Sequence, residues 1–226
     1  GNPYYIDLDM LIEDGLLKRA DLHGVDWGGD AARVDYGRIY EQRFRVLRRA
    51  FERGRESERE NMAEFRRANA WVENYALYMA VKASFGMASW QEWPDEDIRL
   101  HRESAVREYG ERLREDVDFY VFLQYLFYRQ WDALREYAHK NGVQFIGDIP
   151  IYVALDSADV WSDPQFFQLD ENNVPVEVAG VPPDAFTADG QLWGNPLYDW
   201  GRMASDGYGW WIRRIAGAKR LYDVIR

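Results

Sequence analysis

Apolar positions recur with a helical period through much of the first 140 residues. Tyr40, Phe44, Leu47 and Phe51 fall at steps of four, three and four. That spacing lines them along one face and predicts a helix over 36–53, ended by Gly54. Ser57 followed by Glu60 has the form of a capping box, in which a hydroxyl and a carboxylate satisfy amides left free at a helix start. It predicts a second helix running to about residue 85, with Phe65, Val72, Tyr75 and Met79 as its buried stripe and Gly86 as its stop. After a break over 90–94, a charged segment over 95–115 leads into a strongly apolar helix that ends near Lys140, with Asn141 and Gly142 forming a left-handed cap. The interleaved arginines and glutamates over 53–60 read as a solvated face.

At Val143 the texture changes. Val143, Phe145 and Ile146 belong to a short β-rich run that ends at Gly147, Asp148, Ile149 and Pro150, and it reads as a buried strand. A helix, a glycine cap and a strand with a carboxylate at its carboxyl end make the αβ step of a parallel sheet or barrel, where ligands meet the strand ends. Asp148 is therefore placed either to bind a ligand or to cap the turn that follows. The region 154–200 is rich in Asp, Asn, Pro and Gly, mostly irregular, and of the kind that builds the walls of sites. Within it, 166–169 and 174–178 are expected to pair as a hairpin across Asp170, Glu171, Asn172 and Asn173. A helix over 208–219 then feeds a second strand over 221–226. The class is α/β, mostly helical by residue count.

Composition narrows the chemistry. With 39 acidic against 28 basic residues, the chain carries a formal charge of -11, a field that repels polyphosphates and anionic lipid surfaces, so nucleic acid is excluded as the expected partner. The most apolar run, 119–128, is far shorter than the roughly 20 residues that a membrane-spanning helix needs. There is no cysteine, which excludes disulfides and thiolate metal sites and is compatible with a reducing compartment; the cytoplasm is the expected location. His23, His101 and His139 are scattered without metal-ligand spacing and are expected at the surface or at helix ends. Asp170 to Pro175 lacks the oxygen and the glycine that a calcium loop requires and reads as a turn. No phosphate-binding glycine loop and no nucleophile elbow is present. Ten tryptophans among 16% aromatic residues favour a sugar site, because aromatic faces grip the apolar faces of sugar rings, although most such rings pack cores.

Four ordered blocks carry a resemblance: Gly147-Asp148-Ile149-Pro150-Ile151-Tyr152-Val153, Asp156-Ser157-Ala158-Asp159-Val160-Trp161, Val178-Ala179-Gly180-Val181-Pro182-Pro183-Asp184-Ala185-Phe186 and Gly190-Gln191-Leu192-Trp193-Gly194-Asn195-Pro196-Leu197-Tyr198. In these, in Gly1-Asn2-Pro3-Tyr4 and in Val34-Asp35-Tyr36, the chain resembles the amylomaltases of glycoside hydrolase family 77. The resemblance implies part of a (β/α)8 barrel with a large helical insertion. Residues 1–140 would be mainly that insertion and barrel helices, and residues 141–226 a barrel strand, the glucan-binding loop region, a helix and the start of the next strand.

The implied activity is 4-alpha-glucanotransferase, which moves α-1,4-glucan segments between maltodextrins by a retaining double displacement, with no metal or organic cofactor. The reacting carboxylates are expected outside this chain, the nucleophile just after Arg226, so no catalytic residue is assigned and the chain alone is expected to be inactive. Both ends are expected to continue into further polypeptide, and the shortened chain to associate with itself. The resemblance implies substrate contacts at Asp148, Asp184, Phe186, Gln191, Trp193, Asn195 and Arg226. Asp148 would accept sugar hydroxyls, Arg226 would tune the nucleophile, and Trp193 and Phe186 would wall the glucose rings. Asp184, Gln191 and Asn195 would meet hydroxyls or fix the loop. Alternatives from other classes are a glucan-binding module without chemistry and a helical scaffold for a second chain.

Overall fold

A computed structural model of the chain describes residues 1–30 and 32–226. Its helices are α1 (Leu8–Glu13), α2 (Tyr36–Gly54), α3 (Arg59–Ala68), α4 (Trp71–Ser84), α5 (Glu96–Arg99), α6 (Glu103–Arg112), α7 (Arg114–Lys140), α8 (Ala158–Ser162), α9 (Trp200–Ser205) and α10 (Gly209–Leu221). The strands β1 (Ile146–Gly147) and β4 (Val224–Ile225) pair in parallel, and β2 (Val178–Val181) and β3 (Gln191–Pro196) pair antiparallel. Helix therefore dominates, as the periodicity predicts. The chain divides into two compact units, Gly1–Ala76 with Glu115–Leu134, and Leu77–Arg114 with Arg135–Arg226.

The first unit is built on the apolar face of α2. Leu47, Ala50 and Phe51 are buried, with the Phe51 ring 5.7 Å from Phe119 and 5.5 Å from Phe122. Helix α2 ends at Gly54, as expected, and this glycine is buried where a Cβ would run into Leu16. Two buried glutamines of α7 clamp the amino-terminal segment much as a strand would: Gln130 accepts from the Asp7 amide at 2.7 Å and donates to the Asp7 carbonyl at 3.0 Å, and Gln124 donates to the Gly1 carbonyl at 2.9 Å. A buried amide with both ends satisfied costs little and fixes register.

Three sequence expectations are corrected here. The capping box is not formed, because the Ser57 hydroxyl turns back to the Gly54 carbonyl at 3.1 Å and Glu58 takes the cap position without a side-chain bond. The single helix expected up to residue 85 is two helices, broken at Asn69. Its side-chain amide donates to the Phe65 carbonyl at 2.8 Å, giving the backbone an alternative to continuing the helix. The charged run over 53–60 is also more than a solvated face: Arg53 donates to Leu16 and Asp21, and Glu58 accepts from the Tyr125 hydroxyl at 2.6 Å.

In the second unit Trp90, Trp93, Ile98 and Trp161 form a buried cluster; the Trp161 indole donates to the Ile98 carbonyl at 2.9 Å, so a large ring is buried with its one donor satisfied. Asp156 gathers donors from three places, the Tyr78 hydroxyl at 2.5 Å, the Trp90 amide at 3.3 Å and the Lys82 ammonium. No helix among the described residues is long and apolar enough to cross a membrane.

Helix α7 ends as expected. Gly142 has φ +73°, its amide donates to His139, and the Val143 amide donates back to Ala138, the paired bonds that satisfy the last carbonyls of a helix. The strand that follows is shorter than predicted and is not buried, since Ile146 is 71% exposed. Its one paired neighbour among the described residues is β4, which leaves the Ile146 side chain without cover. Asp223 fixes the approach to the pair by accepting from the Phe145 amide at 2.8 Å, from Arg135 at 2.9 Å and against both its oxygens from His139. His139 is at a helix end as expected. His101 is also at a helix end, two residues beyond α5 with φ +52°; its ring packs edge-on against Trp161 at 4.5 Å, and its Nε2 is buried without a hydrogen-bond partner.

The turn at Asp170 forms, with Oδ1 accepting the amides of Asn172 and Val174 at 2.8 and 2.9 Å. The hairpin around it forms in part: Leu169 bridges Pro175, the Asp170 amide donates to Val174 at 2.8 Å and the Val176 amide to Gln168 at 3.0 Å. Phe166 lies in a short 3-10 turn, Phe167 pairs with Tyr198, and Val178 belongs to β2.

Candidate functional site

The parallel pair sets the geometry of the site. Ile146 faces Val224 and Gly147 faces Ile225, so the next residue of each strand, Asp148 and Arg226, leaves the sheet at the same end. The ladder continues one step, the Arg226 amide donating to Gly147 at 2.9 Å and the Ile149 amide to Arg226 at 3.3 Å. The Arg226 guanidinium then meets the Asp148 carboxylate side by side, Nε to Oδ1 at 2.8 Å and Nη2 to Oδ2 at 2.7 Å. The guanidinium holds the Asp148 carboxyl below the usual carboxylate range. Both side chains stay open to water, so this is a charged pair presented at a strand end and not a buried structural bridge.

A second element is the β2–β3 hairpin. Val178 faces Pro196, Gly180 faces Leu192 and Val181 faces Gln191, with a register shift between Val178 and Gly180. At the shift Gly180 is required, because a Cβ there would sit 2.5 Å from the Gln191 carbonyl. The connecting loop is shaped by Asp184, whose Oδ1 accepts the amides of Phe186 and Thr187 at 2.8 and 2.9 Å; these bonds lower its pKa. Phe186, at the loop tip, is 94% exposed. On β3, Gln191 accepts from the Trp193 indole at 3.1 Å, and Trp193 is half-exposed. Asn195 points to the chain after β1, donating to the Val153 carbonyl at 2.8 Å.

The sequence-derived set is thus brought together in part. Asp148 touches Arg226, Gln191 touches Trp193, and Asn195 ties β3 to the segment that starts at Asp148. Asp184 and Phe186 belong to the hairpin loop itself. Sequence reasoning missed Tyr152, whose ring lies 6.3 Å from Trp193 at 59° and stacks on buried Tyr198 at 5.9 Å and 13°. The signal was present in its place four residues beyond Asp148, inside the first quoted block. Among the described residues no group of three His, Asp or Glu side chains is arranged to hold a metal ion. The arrangement offers an ionised carboxylate, a fixed cation and angled aromatic faces, a set that suits a neutral polyhydroxylated ligand.

Comparison with known proteins agrees with that chemistry. The family model described as 4-alpha-glucanotransferase matches residues 1–226. The 4-alpha-glucanotransferase of Streptococcus pneumoniae serotype 4 is 45% identical over 228 residues, covering 100% of this chain and 45% of that protein. The Thermus thermophilus 4-alpha-glucanotransferase is 45% identical over 231 residues, with the same coverage of 100% and 45%. Among solved structures, an amylomaltase from Streptococcus agalactiae in complex with acarbose superposes with a TM-score of 0.96 at 40% identity, over 100% of this chain and 46% of that one. The chain therefore spans a little under half the length of these relatives.

Proposed function

Because the chain belongs to the 4-alpha-glucanotransferase family, we propose that it forms one wall of a cleft for α-1,4-linked glucose units, in a protein that transfers glucan segments between maltodextrins. The observation that carries this reading is the Asp148–Arg226 pair at the ends of adjacent parallel strands, with Tyr152, four residues beyond Asp148, against half-exposed Trp193. Asp148 remains ionised, and a carboxylate has lone pairs beyond the two that Arg226 uses, so it accepts sugar hydroxyls without giving up its partner. Trp193 supplies an apolar face, and Phe186 an exposed one at the loop tip. Asp184 fixes the loop from within, and Gln191 orients the Trp193 indole.

In a retaining transfer one carboxylate attacks the anomeric carbon and a second protonates the leaving oxygen, the two standing about 5 Å apart. We assign neither role to a residue of this chain. Asp148 binds the sugar, and Arg226 places a positive charge beside the reacting centre, favouring an ionised nucleophile. The parallel pair β1–β4 with the helices between is read as one step of a (β/α)8 barrel, residues 1–140 as its helical insertion and flanking helices, and the protein as cytoplasmic. Ile146, Val224, Ile212 and Ile215 are exposed apolar residues of the second unit, which favours self-association of the 226-residue chain.

Titration calorimetry of the chain with acarbose and maltoheptaose tests the binding role, and incubation with maltotriose tests the chemistry. Binding heat with no release of glucose is expected from this chain. Glucose together with a ladder of longer glucans is expected from a protein of the relatives' full length that contains it. A chain that binds neither oligosaccharide contradicts the reading.

A further inference from the structure

Between β1 and α8 the chain bends across the site without a strand beside it among the described residues, and its carbonyls are met by side chains instead. The Tyr198 hydroxyl donates to Ile151 at 2.8 Å, the Asn195 amide to Val153 at 2.8 Å and the Trp90 indole to Leu155 at 2.8 Å. The first bond holds the peptide group that precedes Tyr152 and the second holds the peptide group after Val153, so the chain is pinned on either side of Tyr152. Tyr198 and Trp90 are each 1% exposed, so two of the three donors are fixed by the core. One face of the Tyr152 ring is occupied by Tyr198, nearly parallel at 13°. Trp193 lies beside the ring at 6.3 Å, its plane inclined by 59°.

We propose that Tyr152 is a further sugar-contacting residue, forming with Trp193 a two-walled corner for one glucose unit, and that Asn195 is a positioning residue that holds Tyr152 there. This rests on the reading of the cleft given above. A glucose ring in its chair form presents apolar C–H patches that pack on aromatic faces. Successive rings of an α-1,4 chain are turned relative to one another, whereas those of a β-1,4 chain lie in a flat ribbon. The corner holds a single ring, so its inclined walls fit one chair and leave the choice of linkage to the rest of the cleft. Asn195 gives an amide hydrogen to the Val153 carbonyl, one residue from Tyr152, which places it to act through that ring.

Calorimetric titration of the chain with acarbose tests both parts. Tyr152→Phe keeps the ring and is expected to bind acarbose within about twofold of the parent, while Tyr152→Leu fills the space against Tyr198 and is expected to bind about tenfold more weakly. Asn195→Ala is expected to weaken acarbose binding in the parent and to add nothing in the Tyr152→Leu background, because a residue that acts through the ring has no effect once the ring is gone. A Tyr152→Leu chain that binds as tightly as the parent overturns the role of Tyr152. Additive losses overturn the positioning role of Asn195. If Tyr152→Leu does not fold, the unmodified chain labelled with 13C-tyrosine decides: the Tyr152 ring signal, assigned with Tyr152→Phe, must move on addition of acarbose, and a signal that stays still overturns the proposal. A parent chain that binds no acarbose removes the cleft reading itself, whereas a parent that binds while Tyr152 and Asn195 prove silent removes this inference alone.

Discussion

Arg226 donates to both carboxylate oxygens of Asp148 across the parallel pair, at 2.8 and 2.7 Å, although both side chains face water. Exposed pairs contribute little to stability because solvent screens them and long side chains lose freedom in forming them. A two-bond pair held at such a place is better accounted for by what it presents than by what it stabilises.

Asp148→Ala is therefore expected to leave the melting temperature within about 2 °C of the parent. Acarbose affinity should fall by roughly tenfold or more, the scale of losing hydrogen bonds to a charged acceptor. Calorimetry and thermal melts on the same preparation check this; a large drop in melting temperature with unchanged affinity would reverse the assignment. Arg226→Lys keeps the charge and loses the planar fork, and an intermediate loss of affinity is expected.

Asp223 gives the opposite pattern. Three donors, the Phe145 amide, His139 and Arg135, hold its carboxyl far below its ordinary value near 3.8. A carboxyl depressed in the folded state contributes stability that is complete above the unfolded value and fades as pH falls below about 3.8. Asp223→Asn should therefore melt well below the parent at pH 7, and the gap should close as the pH is taken from 4 towards 2. His139→Ala leaves Arg135 and the amide in place and is expected to show a smaller drop at pH 7 with unchanged acarbose affinity.

His101 carries a pH dependence of the same sign in a higher pH window. Burial against Trp161 pushes its imidazole below the ordinary 6.5, with Asp163 opposing the shift weakly. The unfolded chain then binds a proton at a pH where the folded chain does not, so stability falls as pH drops through 6.5. His101→Phe should lack this part of the acid loss. Melting curves at half-unit steps between pH 7.5 and 5 read the difference, and parallel curves for parent and variant would refute it.

Gly180→Ala places a Cβ 2.5 Å from the Gln191 carbonyl, a backbone atom that cannot rotate aside. The hairpin must part at its register shift, at an expected cost of about 1–3 kcal/mol, the usual range for overpacking. Gln191 and Trp193 stand on the displaced strand, so acarbose affinity is expected to fall along with the melting temperature.

The sequence disclosed what rests on local pattern. The helix over 36–53, the glycine cap at residue 142 and the turn at Asp170 each depend on residues within one or two turns of chain, and each formed. It failed where a side chain found a better partner than the local rule supplies. Ser57 chose the Gly54 carbonyl over a capping box, and Asn69 chose the Phe65 carbonyl over an unbroken helix. Strand β1 was legible as a strand, yet its burial was misjudged, because burial depends on what lies alongside and no local pattern encodes that. The site residues were named by motif. What the motif did not disclose was their division of labour: Asp184 bonds within its own loop, and Asn195 reaches Val153. Tyr152 went unnoticed because its neighbours Trp193 and Tyr198 lie 41 and 46 positions along the chain.

The carbonyls of Ile151, Val153 and Leu155 are held by a phenol, an amide and an indole. A ladder between strands is made of main chain, which no point substitution removes short of proline. Here each rung is an ordinary side chain, and each can be taken out singly. Two of them, Tyr198 and Trp90, are anchored in the interior, which leaves Asn195 as the rung that an engineer can remove with least disturbance to the rest of the fold.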